Sequence, residues 1–432
     1  MESFTYHQAI AYLESLPTPA HWSLDTPRRL NGILGIAPAC QILHVTGTNG
    51  KGSACAFASE ILRRAGYNTG MYTSPHLLEY RERMQVNGKQ ISGPDFASAV
   101  GETSAAIEKM RKTDGITPSS FEALTSAALL HFQRRRLDFL VMEAGMGGRL
   151  DATNAVDAQA ALITNIGLEH TLELGGTLAK IAREKAGIIK PHAKAVTGCC
   201  QPQALREIQL AAKNNRASLK VLGKDFSYRV KSVSLDATEF DYSGTSSFPG
   251  LRSPLLGRHQ AFNASCAIAA VECFRELGFN IPENAVRAGI ADAEWPGRLE
   301  IMRRNPLVIV DGAHNPDGVK ALRAALRDLL PGKKPVFVLG ILADKDFRRM
   351  ISLLAPIASR MIFCRPATPR AADPEVLAQE ARKAGCSNVA IIPKVSDAVR
   401  QAIAVSAASD AVVVAGSLYT AGEARSALSA RL

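Results

Sequence analysis

The sequence predicts an α/β protein of two domains. Residues 1–294 read as a larger domain with a mostly parallel sheet and a small antiparallel appendage, and residues 295–432 as a Rossmann-like α/β domain. Three observations lead there. A chain of 432 residues is longer than one hydrophobic core usually organises. Short β-branched apolar runs alternate with helical stretches, the pattern of a sheet covered by helices. Finally, Pro296-Gly297, within Glu294-Trp295-Pro296-Gly297-Arg298, separates two such series.

Taken in order, Ile42-Leu43-His44-Val45 is a strand that runs through a Gly-rich turn into a helix over 54–65. A helix over 121–134 leads to a strand over 137–143 that ends in glycines, and another strand covers 160–166. Between about 225 and 257 the character changes. Residues 228–233 and 238–242 alternate with period two between Gly, Ser and Pro turns, which marks the small antiparallel part. Beyond the Pro-Gly turn, strands are expected at 307–310, 336–339, 361–364, 389–392 and 411–415 with helices between them, enough for a second domain.

Composition narrows the class. With 47% hydrophobic and 21% charged residues the chain has the makeup of a globular protein, not a disordered one. No apolar run reaches the roughly 18 residues of a membrane span. Residues 1–7 lack the basic-then-apolar layout of a signal peptide, so a cytoplasmic location is expected. The eight cysteines form no CxxC pair, and Cys199 and Cys200 are adjacent, a poor geometry for a bridge or for zinc; they read as small buried hydrophobes in a reducing compartment. Lys and Arg outnumber Asp and Glu by 51 to 40. That excess fits nucleic acid or small polyanions, but the basic residues are dispersed and Arg134-Arg135-Arg136 reads as a solvated helix end, so small anions are preferred.

The clearest chemical signal is His44-Val45-Thr46-Gly47-Thr48-Asn49-Gly50-Lys51-Gly52-Ser53, between a strand and a helix. Its glycines let the chain turn so that successive N–H groups face phosphate oxygens, and the helix N-terminus adds positive partial charge. Lys51 can reach the outer phosphates, and the Ser53 hydroxyl is placed for a bound Mg²⁺. This makes the first domain a P-loop-type ATPase domain. The spacing is not the common G-x-x-x-x-G-K-[ST], since Gly47 lies three before Gly50 and Gly52 separates Lys51 from Ser53.

That variant loop resembles the one in Mur-type amide ligases, and Asn49 and Gly52 make it similar to the folylpolyglutamate synthase/dihydrofolate synthase branch. Further segments match that family in order: Thr73-Ser74-Pro75-His76-Leu77, the run from Glu143 to Asn154, Thr164-Asn165-Ile166-Gly167-Leu168-Glu169-His170, Arg183-Glu184-Lys185-Ala186-Gly187, Gly257-Arg258-His259-Gln260, Trp295-Pro296-Gly297-Arg298, Asp311-Gly312-Ala313-His314-Asn315-Pro316 and Gly416-Ser417-Leu418-Tyr419. They span nearly the whole chain.

The resemblance implies roles. Thr48, Asn49, Gly50, Lys51, Gly52 and Ser53 would hold the ATP phosphates, with Asn263, Arg298, Asp311 and His314 completing the nucleotide site. Ser53, Ser74, Glu143 and His170 would ligate Mg²⁺. Taken alone, Glu143 reads equally as a strand-end carboxylate and His170 as a packed histidine. Lys51, Lys185 and His170 would be catalytic, and Lys185 is the family's carbamylated lysine; an unmodified Lys185 paired with phosphate is the alternative. The acceptor would lie near Arg28, Ser120, Phe121, Glu122, Leu150, Asp151 and Ala152. The implied partners are small molecules: ATP, L-glutamate and a folate or dihydropteroate, with no nucleic acid or membrane, and a monomeric chain.

The implied reaction is ATP-dependent addition of L-glutamate to dihydropteroate, to the γ-carboxyl of a folate, or to both, through an acyl phosphate. A monofunctional folylpolyglutamate synthase is the nearest alternative. A P-loop phosphotransferase or GTPase would explain the loop but not the second α/β domain with Asp311 and His314, and Ala343-Asp344-Lys345-Asp346 is only a fragment of a guanine signature.

Overall fold

The computed structural model describes residues 4–17 and 22–429; residues 1–3, part of the stretch read for a signal peptide, lie outside them. Two compact units divide the chain. The first runs through Arg229 and adds Phe240–Leu251 and Phe262–Ala293; the second comprises Val230–Glu239, Arg252–Ala261 and the chain from Glu294 onward.

The first unit is organised by one eight-stranded sheet. Its strands are β1 (Gln41–Thr46), β2 (Thr69–Tyr72), β3 (Met84–Val86), β4 (Lys89–Gln90), β5 (Phe139–Glu143), β6 (Ala160–Ile163), β7 (Lys194–Thr197) and β8 (Ser218–Val221), in the order β4-β3-β2-β5-β1-β6-β7-β8. The run β2-β5-β1-β6-β7-β8 is parallel, and β3 and β4 pair antiparallel at one edge. Parallel strands need crossovers, and the helices that make them cover both faces. For this reason β1 is buried along its length instead of alternating: Ile42 to Thr46, His44 included, are all buried. One core gathers Phe96, Leu124 and Phe132 with Leu140 and Met142, and another gathers Ile163, Ile181, Ile188 and Ile208. Local chemistry starts these helices where expected. Ser119 and Glu122 form a capping box at the head of Ser120–Arg134.

Strands β9 (Ser227–Val233), β10 (Thr238–Ser243) and β11 (Ser247–Ser253) form a three-stranded sheet ordered β11-β10-β9. The sequence reading assigned residues 225–257 to the first domain as a whole. Here Val230–Glu239 and Arg252–Ala261 group with the second unit, because Val233, Leu235 and Leu256 pack into its core.

The second unit holds β12 (Glu300–Arg304), β13 (Leu307–Val310), β14 (Val336–Leu339), β15 (Arg360–Phe363), β16 (Val389–Ile391) and β17 (Ala411–Ala415), ordered β12-β13-β17-β14-β15-β16. All neighbours are parallel except β12 and β13. The five expected strands are present; β12 was not foreseen, since Glu300, Arg303 and Arg304 hide a strand that is only half-buried. Among the described residues no helix is long and apolar enough to cross a membrane.

The helices Lys51–Arg64 and Glu283–Ala291 meet at Gly289, where a Cβ would stand 2.5 Å from the Ile61 Cα. Backbone cannot yield as a side-chain tip can. Gly289→Val is therefore expected to lower unfolding free energy by about 3 kcal/mol, read as an earlier urea midpoint.

Candidate active site

Register brings the site together. In β1 and β5, Val45 lies opposite Glu143; in β1 and β6, Thr46 lies opposite Ile163; in β2 and β5, Tyr72 lies opposite Met142. The segments leaving these four strands therefore emerge side by side at their carboxyl ends, where open α/β sheets place ligands. They are the Gly-rich loop after β1, Ser74 after β2, Glu143 and its glycines at the end of β5, and 164–170 after β6.

The loop is held by side chains from the β6 extension. The Asn165 side chain accepts from the Asn49 N–H (3.0 Å) and donates to the Asn49 carbonyl (3.0 Å). Thr164 Oγ1 donates to the same carbonyl (2.8 Å), and the Gly167 N–H donates to Thr48 Oγ1 (2.8 Å). Side chains are excluded at two loop glycines. Gly47 and Gly50 have φ of 153° and 84°, and a Cβ would stand 1.9 Å from Thr164 Oγ1 at the first and 2.2 Å from Asn263 Oδ1 at the second. Gly50 also caps the helix Lys51–Arg64, whose first turn carries Lys51, Gly52 and the buried Ser53. Asn263, 3% exposed, is thus part of the loop's support.

Two ammonium groups converge on one carbonyl. Lys51 Nζ donates to the Gly47 oxygen at 3.1 Å and to the Thr48 oxygen at 3.3 Å; Lys185 Nζ donates to the same Gly47 oxygen at 2.9 Å. Lys185 sits in the helix Leu178–Ala186 and is 5% exposed. Burial, and then the charge of Lys51, bring its pKa from 10.5 to about 7, against the opposing pull of Glu169 and Asp151.

Glu143 is 4% exposed and accepts from the Ser74 N–H at 3.2 Å through Oε2. His170, by contrast, is 42% exposed in its side chain, has a φ of 51°, and places Nδ1 4.0 Å from Glu173. Ser53, Ser74 and Glu143 offer hydroxyl and carboxylate oxygens, the donor type of a hard divalent cation.

Next to Ser74 lies a cavity of about 410 Å³. Its walls include Trp22, Arg83, Phe121, Met146 and Asp151, and Ser120, Glu122, Leu150 and Ala152 also face it. Arg28 does not belong to it: it lies on the exposed side of the helix Asp25–Ile33, whose Pro27 and Leu30 turn inward instead. Glu122 faces the cavity but its carboxylate is engaged locally, accepting from the Ser119 N–H and hydroxyl, each at 2.7 Å. Phe121 lies against the backbone of Gly145, where a Cβ would stand 2.5 Å from its Cζ. Trp22, Arg83 and Met146 were not anticipated. Trp22 is remote from the recognisable segments, Arg83 lies in a matching run, Glu82-Arg83-Met84, to which no role was given, and Met146 lies inside a segment whose signal came from its glycines.

In the second unit, the Asp311 carboxylate accepts from the Leu299 N–H (3.0 Å) and the Ala313 N–H (2.9 Å), and His314 Nδ1 lies 2.8 Å from the Gly312 carbonyl. Arg298 passes close to Gly312, where a Cβ would meet its Nη1 at 2.9 Å. These three residues, expected from two separate segments, form one cluster. His259, half-buried and held below its ordinary pKa by desolvation, feels the charges of Asp311 and Arg298 and adds a member that was not foreseen.

Comparison with known proteins shows the family of the chain. A family model described as Mur ligase middle domain matches residues 45–271, and one described as Mur ligase, glutamate ligase domain matches 297–418. The chain is 35% identical over 390 residues to the dihydrofolate synthase/folylpolyglutamate synthase of Bacillus subtilis, across 89% of this chain and 90% of the relative. Among solved structures it is similar to Escherichia coli FolC in complex with DHPP and ADP, with TM-score 0.89, 33% identity and 99% of each chain covered. It is likewise similar to the bifunctional folylpolyglutamate synthase/dihydrofolate synthase from Yersinia pestis complexed with AMPPNP and Mn ion, with TM-score 0.88, 30% identity and coverage of 99% and 98%.

The Lys185 geometry sets a pH dependence. With a folded pKa of about 7 and an ordinary value of 10.5, the cost of this buried group is fully present below pH 7. Above pH 7 the unfolded chain keeps a proton that the folded chain releases, so stability from this group rises with pH. Lys185→Met removes the cost, and its stability advantage over the parent is expected to narrow by about 1.4 kcal/mol per pH unit between pH 7 and 9. Paired urea titrations measure this; a constant gap contradicts it. Gly145→Ala is expected to push Phe121 into the cavity and raise KM for the cavity's ligand about tenfold or more, with KM for nucleotide unchanged in the same assays.

Proposed function

The chain belongs to the Mur ligase family, in its dihydrofolate synthase/folylpolyglutamate synthase branch, and from that premise we propose that it joins L-glutamate both to dihydropteroate and to the γ-carboxyl of folates. It is an ATP-dependent carboxylate–amine ligase that works with a divalent cation.

The single observation that carries this reading is the position of Ser74. It borders the acceptor cavity, and its N–H is bonded to Glu143 at the end of β5, one strand away from the phosphate loop. A carboxylate at the mouth of the cavity is then next to the loop that takes the triphosphate. The residues suit such a ligand. Gly47 and Gly50 keep the loop backbone bare, Ser53 lies in the first turn of the helix that follows it, and Glu143 is a buried carboxylate bonded to the Ser74 N–H. A divalent cation held by Ser53, Ser74 and Glu143 would neutralise phosphate charge; His170, on the exposed segment after β6, is proposed as its further ligand.

In this reading the loop amides and Lys51 bind and orient the triphosphate, a task of positioning and charge neutralisation. The γ-phosphoryl passes to the acceptor carboxylate, giving an acyl phosphate; the amine of glutamate attacks the acyl carbon, and phosphate leaves with the C–O bond electrons. Arg298, Asp311 and His314 of the second unit are assigned to the nucleotide. Lys185, buried and with its pKa brought down to about 7, offers at neutral pH a share of the free amine that carbamylation requires, which supports that modification at this position. We also place the protein in the cytoplasm, since all eight cysteines are free thiols, as a reducing compartment keeps them.

The test is phosphate release from ATP, measured separately with dihydropteroate and with a folate, each with and without L-glutamate. Product is expected with both acceptors and only when glutamate is present. Activity with the folate alone would assign a monofunctional folylpolyglutamate synthase. Lys51→Ala is expected to abolish turnover, by about 10³-fold or more, with a urea midpoint little changed, because among the described residues the Lys51 ammonium donates to the loop carbonyls of Gly47 and Thr48.

A further inference from the structure

Behind the acceptor cavity lies a buried line of polar side chains, Asp151, Thr153 and His44, of which Asp151 alone was expected at the acceptor site. Asp151, on the cavity wall, is 1% exposed. Its Oδ1 accepts from the Thr153 N–H (3.0 Å) and the Thr153 hydroxyl (2.5 Å), and its Oδ2 accepts from the Met146 N–H (2.8 Å). The two amides can only donate, which makes Asp151 an acceptor toward both. These bonds take three of the roughly four lone-pair sites of the carboxylate and, with the nearby Gly145 N–H, oppose the upward pull of burial on its pKa.

The Thr153 hydroxyl has one proton, and Asp151 takes it. The same oxygen lies 2.8 Å from His44 Nε2. With its own proton given away, Thr153 Oγ1 can only accept in that contact, so Nε2 must carry the imidazole proton. Nδ1 is then a bare lone pair. An independent observation agrees: Nδ1 is fully buried and has no hydrogen-bond partner in the protein. A buried acceptor without a partner is tolerated more readily than a buried N–H without one. The doubly protonated ring is also disfavoured. Burial first, and then the nearby Lys190 ammonium, bring the His44 pKa down to about 3. Lys190 itself is tied to the Asn154 carbonyl at 2.9 Å.

We propose that His44 is a positioning residue for acceptor recognition: its Nε2–H donates to the Thr153 hydroxyl, which donates to Asp151, and this one-way chain holds the Asp151 carboxylate as an acceptor toward N–H groups of the ring bound in the cavity. The proposal rests on the reading of the cavity as the acceptor site, and it adds a residue on β1 that touches neither acceptor nor nucleotide. His44 immediately precedes the strand residues that carry the phosphate loop, so the same strand serves both substrates, one from its interior and the other from its end.

Two kinds of measurement test it. In protein labelled with ¹⁵N at the histidine ring, His44 is expected to show a protonated Nε2 that exchanges slowly with solvent and an unprotonated Nδ1 between pH 6 and 8. A protonated Nδ1 would overturn the proposal, and this readout needs neither turnover nor a variant. In kinetics, His44→Leu and Thr153→Val are expected to raise KM for the acceptor about tenfold, the scale of one lost bond to a charged group. KM for ATP should stay within twofold. Thr153→Ser, which keeps the hydroxyl, and His44→Gln, which keeps a donor at the same reach, should recover most of the loss. An equal rise in both KM values, or no rescue by the conservative pair, would reduce His44 to a packing residue and end the proposal. Failure of the functional reading looks different, since the parent protein would then release no acceptor-dependent phosphate, while the ring tautomer could still be read.

Discussion

The register of β1 between β5 and β6 is the constraint from which the site follows. With Val45 opposite Glu143 and Thr46 opposite Ile163, three strands end at one level, and the next backbone bonds continue the alignment: the Ala144 N–H reaches the Val45 carbonyl, the Thr164 N–H that of Thr46, and the Thr48 N–H that of Asn165. A slip of one residue would turn the buried Glu143 to the other face of the sheet and uncouple Asn165 from Asn49. Both faces of these strands are packed, so no such slip is open to them.

Electrostatics at the loop is set by two positive charges held close together. Two lysines share the Gly47 carbonyl, and one of them is almost wholly buried. Like charges this close are unfavourable by themselves, and here part of the conflict is relieved by lowering the proton affinity of Lys185. An anion brought to the loop would offset the remainder. The same loop is stiffened by Asn165 and Thr164, so little of its order has to be supplied at binding.

Glycine and polar side chains also divide the labour at the acceptor cavity. Gly145 leaves room for the Phe121 ring, Glu122 serves helix capping, and Asp151 is encircled by donors. Glu122 shows how a residue can satisfy a motif for a local reason. It was read as a substrate residue and does face the cavity, yet its bonds are those that any Ser-x-x-Glu helix start makes. Arg28 shows a different outcome. A basic residue in the right segment faces solvent, because Pro27 and Leu30 claim the inner side of their helix.

What the sequence determined alone is the chemistry that fits within one strand–loop–helix span. The glycines, Lys51 and Ser53 lie at offsets of a few residues, where turn geometry and helix polarity act without help from the rest of the chain, and the strands of the second unit declared themselves by continuous apolar runs. Tertiary structure alone decided which distant side chains meet. Asn165 reaches Asn49 across 116 residues, Lys185 reaches Gly47 across 138, and His44 reaches Thr153 across 109. Strand order and register set those meetings, and neither leaves a local pattern, because the energy that specifies them comes from burying both faces of the sheet at once.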